Sequence, residues 1–283
     1  MITSAARVAG LTVYPLKSAA GINVNELPLD DRGAIGDRRW LLVDGGGHAI
    51  TARTDHRLLH ITPRFATANR DGALQLDAPR LSTFTAVVPG ADALARPVFV
   101  WDDAVLALDA GDEAAAWCSD AIGRACRLVH LDDEASRPLR PKYAGPLPYR
   151  ERRVAFTDGA PLLVLGLASV AALNAKLLER GEEGALALRR FRANVWLDGV
   201  APHEEDSWGA IQVGDVTLGM GSLCTRCVLT TVDPDTLETG AQPLRVFAEY
   251  RRGPDGVVFG VNATHAGEGT IVVGDGVTVL AER

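Results

Sequence analysis

The stretch CTRCVLTTVDPDT, Cys224 to Thr236, sets two thiols three residues apart around Thr225 and Arg226, then runs into VLTTV and the turn-like DPDT. It reads as half of a zinc clamp, as a disulfide, or as one thiolate seating one metal, and the choice decides whether VLTTV is a strand of a β domain. Structural zinc asks for four N or S ligands, commonly paired CxxC knuckles or CxxC with HxxxH. Only one CxxC occurs here, and His56 and His60, four apart, flank a strand-like run. A disulfide needs an oxidising compartment. The N-terminus MITSAARVAGLTVYPLKS has one arginine and no long apolar block before Pro15 and Lys17, which fits a first strand better than a signal peptide. The four cysteines, Cys118, Cys126, Cys224 and Cys227, are therefore expected to stay reduced in a cytoplasmic protein, with a redox-active pair left open.

Around this motif the last third of the chain reads as strands: NVWLD, AIQVGDVTL, CVLTTV, VVFGVNA and TIVVGDGVTVL. Two VGD turns echo each other through hairpin chemistry rather than through a repeat. The first 110 residues also read as short strands, RVAGLTVY, RWLLVD, HAITAR, LLHITP, ALQLDA, TFTAVV and PVFVWDDAVLALDA, separated by Gly, Asp and Pro turns. Acidic residues open DEAAAWCSDAIGR at 112–124, and Ala114, Cys118 and Ile122 recur every four residues, predicting a short helix with Cys118 in the core. LASVAALNAKLLERG at 167–181 predicts the longest helix, stopped at Gly181. The fold class is mostly β (α+β), two β-barrel-like domains with a few helices. The Pro- and Arg-rich DDEASRPLRPKYAGPLPYRERR divides the 283 residues into 1–131, a connecting segment 132–153, and 154–283.

A net charge of −7 argues against wholesale binding to nucleic acid or an anionic membrane. The longest apolar run, 161–173, is short of the roughly 20 residues that cross a bilayer. A single protein thiolate can hold a thiophilic metal when a chelating cofactor supplies the other ligands, and such a cofactor's phosphate needs Lys and Arg. YPLKS at 14–18, DRRW at 37–40 and FRAN at 191–194 each put a basic residue at the edge of an expected strand. Each is weak alone, since a lone Lys or Arg is more often solvated.

YPLKSAAG, GDRRWLLVD, HAITART, RFRANVWLDG, EEDSW and above all CTRCVLTTVDPDT, in this order over nearly the whole chain, closely resemble the MOSC-domain proteins with an N-terminal MOSC β-barrel, the family of the mitochondrial amidoxime-reducing component and its bacterial relatives. The resemblance implies a molybdenum cofactor whose metal takes Cys227 as its protein ligand, with Cys224 a neighbour that either tunes the site or packs. It implies Lys17, Ser18 and Arg38 at the cofactor's phosphate, Arg192 and Asn194 at the pterin and its surroundings, and Thr225 and Arg226 of the motif as further cofactor contacts. Asp158 of FTDGAP matches a family aspartate near the metal, where a carboxylate could assist proton transfer; it reads equally as a turn residue before Gly159. Family members can carry Thr-Ser where this chain has Gly159 and Ala160.

The implied activity is reduction of amidoximes, hydroxylamines or N-hydroxylated bases. No GxGxxG follows a strand and no cysteine follows Cys227, so neither a nicotinamide fingerprint nor the roughly four thiolates of an iron–sulfur cluster is present. Electrons are expected from a ferredoxin-like or cytochrome partner with its reductase, docking on Arg137, Arg140, Lys142, Arg150, Arg152 and Arg153, with Arg226 keeping the Cys227 thiol deprotonated. The alternative is a cofactor or sulfur carrier without reductase activity, as in the MOSC end of molybdenum cofactor sulfurases.

Overall fold

A computed structural model describes residues 6–67, 70, 72–146, 153–182 and 184–283, and strands dominate it. The largest sheet runs in the order Val277–Glu282, Trp208–Val213, Val216–Thr225, Gly256–Ala266, Leu162–Gly166, Val195–Asp198, Arg7–Val13 and Ile22–Val24. A four-stranded sheet joins Trp40–Val43, Arg127–Leu131, Asp103–Asp109 and Ala95–Val100.

Strand pairing crosses the chain's midpoint. Arg7–Val13 lies antiparallel to Val195–Asp198, from Arg7 opposite Asp198 to Leu11 opposite Val195, and Glu26–Asp30 pairs with Gly269–Val272. The partners supply one apolar core: Val8, Leu11, Val13, Leu162, Val164, Val195, Leu197 and Ile211 are all buried within it. Because Arg7–Val13 and Val195–Asp198 run oppositely, the end of the first lies beside the start of the second, and the Thr12 N–H donates to the Asn194 carbonyl at 2.9 Å. YPLKS therefore meets FRAN.

Leu162–Gly166 and Val195–Asp198 are parallel neighbours, which requires a crossover. The crossover contains helix α2, Leu167–Glu179, as the periodicity predicts. Ahead of it lies α1, Asp112–Ile122, which buries Ala114, Cys118 and Ile122 and ends on Gly123 in the left-handed conformation. The α2 N-terminus lacks a local side-chain cap, and Glu205 of EEDSW serves it from afar, accepting from Gly166 N–H at 3.1 Å and Ser169 Oγ at 2.7 Å. Burial raises the Glu205 carboxyl above its ordinary range.

Four expectations need correction. CVLTTV is not a strand: the strand stops at Thr225 and Val228–Thr231 is a 3-10 turn. Its threonines satisfy the turn themselves, Thr230 Oγ1 donating to Cys227 O at 3.0 Å and Thr231 Oγ1 to Val228 O at 2.8 Å, so β-branched composition misleads here. HAITAR makes only isolated bridges at His48 and Ala49, and LLHITP splits into a 3-10 turn His56–His60 and the strand Thr62–Phe65. A third helix, α3 at Leu244–Tyr250, lies where strands alone were expected; its two buried residues, Val246 and Phe247, are too few to show a helical period.

Candidate functional site

Strand ends build the site. Lys17 and Ser18 follow Arg7–Val13, Arg38 precedes Trp40–Val43, Arg192 and Asn194 precede Val195–Asp198, Asp158 precedes Leu162–Gly166, and Thr225, Arg226 and Cys227 close Val216–Thr225. All nine line one cleft of ≈ 590 Å³. Its wall carries Lys17, Arg38, Arg53, Arg140, Lys142, Arg190, Arg192 and Arg226 against Asp158 and Asp255. In a chain of net charge −7, that concentration of cations favours an anionic ligand.

A buried polar knot holds the basic residues. Asp37 Oδ1 accepts from Tyr14 N at 2.7 Å and from Asn194 Nδ2 at 3.2 Å, while Arg38 Nη1 donates to the other Asp37 oxygen and to Asn194 Oδ1 at 3.0 Å. Asn194, 1% exposed, also donates to Thr12 O and accepts from Leu163 N. Its polar atoms thus bind protein, and its contribution to the cleft is to aim Arg38. The Tyr14 ring carries both guanidiniums, Arg192 at 4.2 Å and Arg38 at 4.5 Å. Burial lowers Arg192 to about 10 even so.

Three of the sequence-predicted residues share a backbone oddity. Ser18, Arg38 and Arg192 have φ of 71°, 50° and 56°, a left-handed conformation uncommon outside glycine. The knot and the Tyr14 ring hold Arg38 and Arg192 in it, and such strain gathers at binding sites.

Lys17 and Asp158, expected at opposite ends of a cofactor, are ion-paired. Lys17 Nζ also donates to Phe156 O at 2.7 Å, and Arg53 Nη2 reaches Asp158 Oδ2 at 3.0 Å. Burial lowers Lys17 to about 8 although Asp158 opposes it. Desolvation would raise Asp158, but Lys17 and Arg53 hold it well below the usual carboxylate range, although half of its side chain meets solvent. A ¹³Cε titration should therefore show one lysine turning over near pH 8. Between that value and the ordinary ~10.4 the unfolded lysine keeps a proton that the folded one has lost, so rising pH favours the folded state across this window. Asp158 works at the acid end: its stabilisation is complete above about 3.9 and fades as pH falls through the folded value. An Nζ that titrates with the surface lysines would refute the buried pair.

Cys227 is partly exposed to the cleft and begins the 3-10 turn. The guanidinium expected at its thiol goes elsewhere: Arg226 Nη1 donates to Cys224 Sγ at 3.2 Å and Nη2 to Phe191 O at 2.6 Å. Cys224 lines the cleft rather than being packed away. The buried Nε atoms of Arg226 and Arg190 have no hydrogen-bond partner among the described residues.

The connecting segment is less of a basic patch than its composition suggests. Arg137 is buried, donating to Asp103 and to the carbonyls of Ala155 and Thr157; Arg140 pairs with Asp102 and Asp103, and Arg153 with Asp31. Arg150 and Arg152 lie outside the described residues. Pro141–Tyr143 instead forms a wall of the cleft, with Gly145 close over Gly219 and the Tyr143 carbonyl over Gly221.

Sequence reasoning missed Arg53, Trp101, Tyr143 and Arg190, because aromatic or basic residues in turns have no period to mark them. A Cβ added at Gly159 would meet the Tyr143 ring at 2.5 Å. Gly159→Thr should therefore displace Tyr143 and cost about 1–3 kcal/mol by overpacking, with Tyr143→Ala restoring most of it. Urea midpoints of the single and double variants check this; equal loss in both would show that Tyr143 is not the obstacle.

Residues 5–125 match the MOSC N-terminal beta barrel domain and residues 151–278 the MOSC domain. Mitochondrial amidoxime-reducing component 1 of Mus musculus is 32% identical over 97% of this chain and 82% of that protein. The Homo sapiens protein of the same name is 32% identical over 97% and 83%. Molybdenum cofactor sulfurase of Danio rerio is 27% identical over 93% of this chain but only 32% of its own length.

Proposed function

The chain belongs to the proteins that join a MOSC N-terminal beta barrel domain to a MOSC domain, and from that premise we propose that it is a molybdenum-cofactor-dependent reductase of N-hydroxylated compounds, supplied with electrons by a separate protein. The observation that carries the reading is the cation-lined cleft into which the Cys227 thiol, the basic residues of YPLKS, DRRW and FRAN, and Asp158 converge.

The residues fit the group. Among the described residues no set of three or more His, Cys, Asp and Glu could hold a metal, so a metal on Cys227 takes its other ligands from a chelating cofactor. Arg192, Arg226 and Ser18 line the cleft and would receive its anionic parts, and the buried Arg226 Nε has no hydrogen-bond partner among the described residues. When bound, the molybdenum centre supplies two-electron chemistry that removes oxygen from an N–OH group as water.

This chain's own part is binding, orientation and proton supply. Cys227 would hold the metal. Asp158 stays ionised between Lys17 and Arg53, so it accepts hydrogen bonds and orients; the labile proton of the cluster is on Lys17 Nζ. A ferredoxin-like or cytochrome donor then meets Arg140 and Arg153 already paired with Asp102, Asp103 and Asp31, so its rate should depend weakly on salt.

The sulfurase likeness favours a second reading, a carrier that binds cofactor and reduces nothing. Turnover of benzamidoxime with an artificial one-electron donor, using cofactor-loaded protein, separates them: benzamidine formation supports the reductase, and loaded protein without turnover supports the carrier.

A further inference from the structure

Trp101 occupies a costly position. It begins the two-residue turn between Ala95–Val100 and Asp103–Asp109, where Val100 pairs with Asp103. Its φ is 58° and 42% of its surface is exposed. A positive φ at this first central position is a glycine preference in hairpins, and for a bulky residue it is an outlier. Turn chemistry and burial both argue against tryptophan here, so some other contact explains the ring.

That contact is in the cleft. Trp101 lines it, with the Arg53 guanidinium 4.3 Å and Lys17 Nζ 5.7 Å from its ring centre, and both cations hold Asp158. One residue further along, Gly159 sits against the second cleft ring, Tyr143, which carries Lys142 at 4.9 Å. Asp158 and Gly159 thus pass from the cluster of one ring to that of the other. The absence of a side chain at Gly159 is what lets Tyr143 stand there.

Resting on the reductase reading, we propose that Trp101 and Tyr143 form an aromatic slot over Asp158–Gly159 that selects planar, conjugated N-hydroxylated substrates over aliphatic ones. Offset stacking on a ring rewards a flat π-system and gives a small aliphatic group little. The cations keep the slot polar at one edge, which suits a substrate whose apolar ring carries a hydrogen-bonding amidoxime head.

Calorimetric titration of cofactor-loaded protein with benzamidoxime and with acetamidoxime gives the ratio of the two affinities. The wild type should prefer benzamidoxime by about tenfold, W101A and Y143A should each lower the ratio at least threefold, and W101F should keep most of it. An unchanged ratio in both alanine variants, or none in the wild type, overturns the slot. A variant that loses its fold loses both affinities, and W101F then decides: a ratio retained in W101F supports the slot and a ratio lost there refutes it. Turnover is assayed in parallel, so preferential binding without reduction leaves the slot standing and removes only the reductase.

Discussion

Cys227→Ser should empty the site of molybdenum. A thiolate is a soft ligand available near neutral pH, whereas a serine hydroxyl is hard and stays protonated, so the exchange removes the protein–metal bond while changing little else in the turn. No neighbouring cluster among the described residues can replace it. Cys224 is the internal control, because its sulfur receives Arg226 rather than standing free at the start of the turn. Protein made in a cofactor-competent host should carry close to stoichiometric molybdenum as the parent and as Cys224→Ser. Cys227→Ser should fall to about a tenth or less, an occupancy ratio equivalent to at least about 1.4 kcal/mol. Released pterin measured on the same samples shows whether the organic part remains on the arginines alone. Equal loading of parent and Cys227→Ser would remove the thiolate seat, and no metal in any of them, beside good loading of a known molybdoprotein, would remove the reductase.

Asn194→Leu is expected to cost more stability than any other single change in the cleft. The side chains are similar in size, so packing is nearly kept, but four polar connections go: to Thr12 O, Asp37 Oδ1, Arg38 Nη1 and Leu163 N. Arg38 and Asp37 still hold each other, leaving the Leu163 N–H and Thr12 carbonyl as the main buried groups deprived. At about 1–3 kcal/mol for each of these two unsatisfied buried groups the loss is about 2–6 kcal/mol, or about 4–24 °C in Tm for a protein this size. Arg38 should also lose its aim, so anion affinity falls with stability. A Tm within about 2 °C of the parent would show that water replaces the amide and that the knot is not structural.

Much of this was readable in advance, for identifiable reasons. Strand periods and Gly, Asp and Pro turns mark the β class, and the spacing of Ala114, Cys118 and Ile122, or of Val170, Leu173 and Leu177, marks two helices, because burial on one face imposes a period. Each of the nine candidate site residues lies in a short motif at a strand edge, and all reach the cleft. Where composition and local bonding disagree, as in VLTT with its threonine hydroxyls turned back on the chain, the sequence pattern misleads.

By itself, then, the sequence determined the β architecture, the family and the residues brought to one cleft, since these rest on local periodicity and on motifs. Only the tertiary structure decided who touches whom: that Lys17 meets Asp158, that Arg226 serves Cys224, that Arg137, Arg140 and Arg153 are paired with aspartates, and that Trp101 and Tyr143 line the site. Apart from Arg226 and Cys224, which are two residues apart, those pairings join residues far apart in the chain, brought together by strand pairings such as Arg7–Val13 against Val195–Asp198 and by shared desolvation, and no local pattern encodes either.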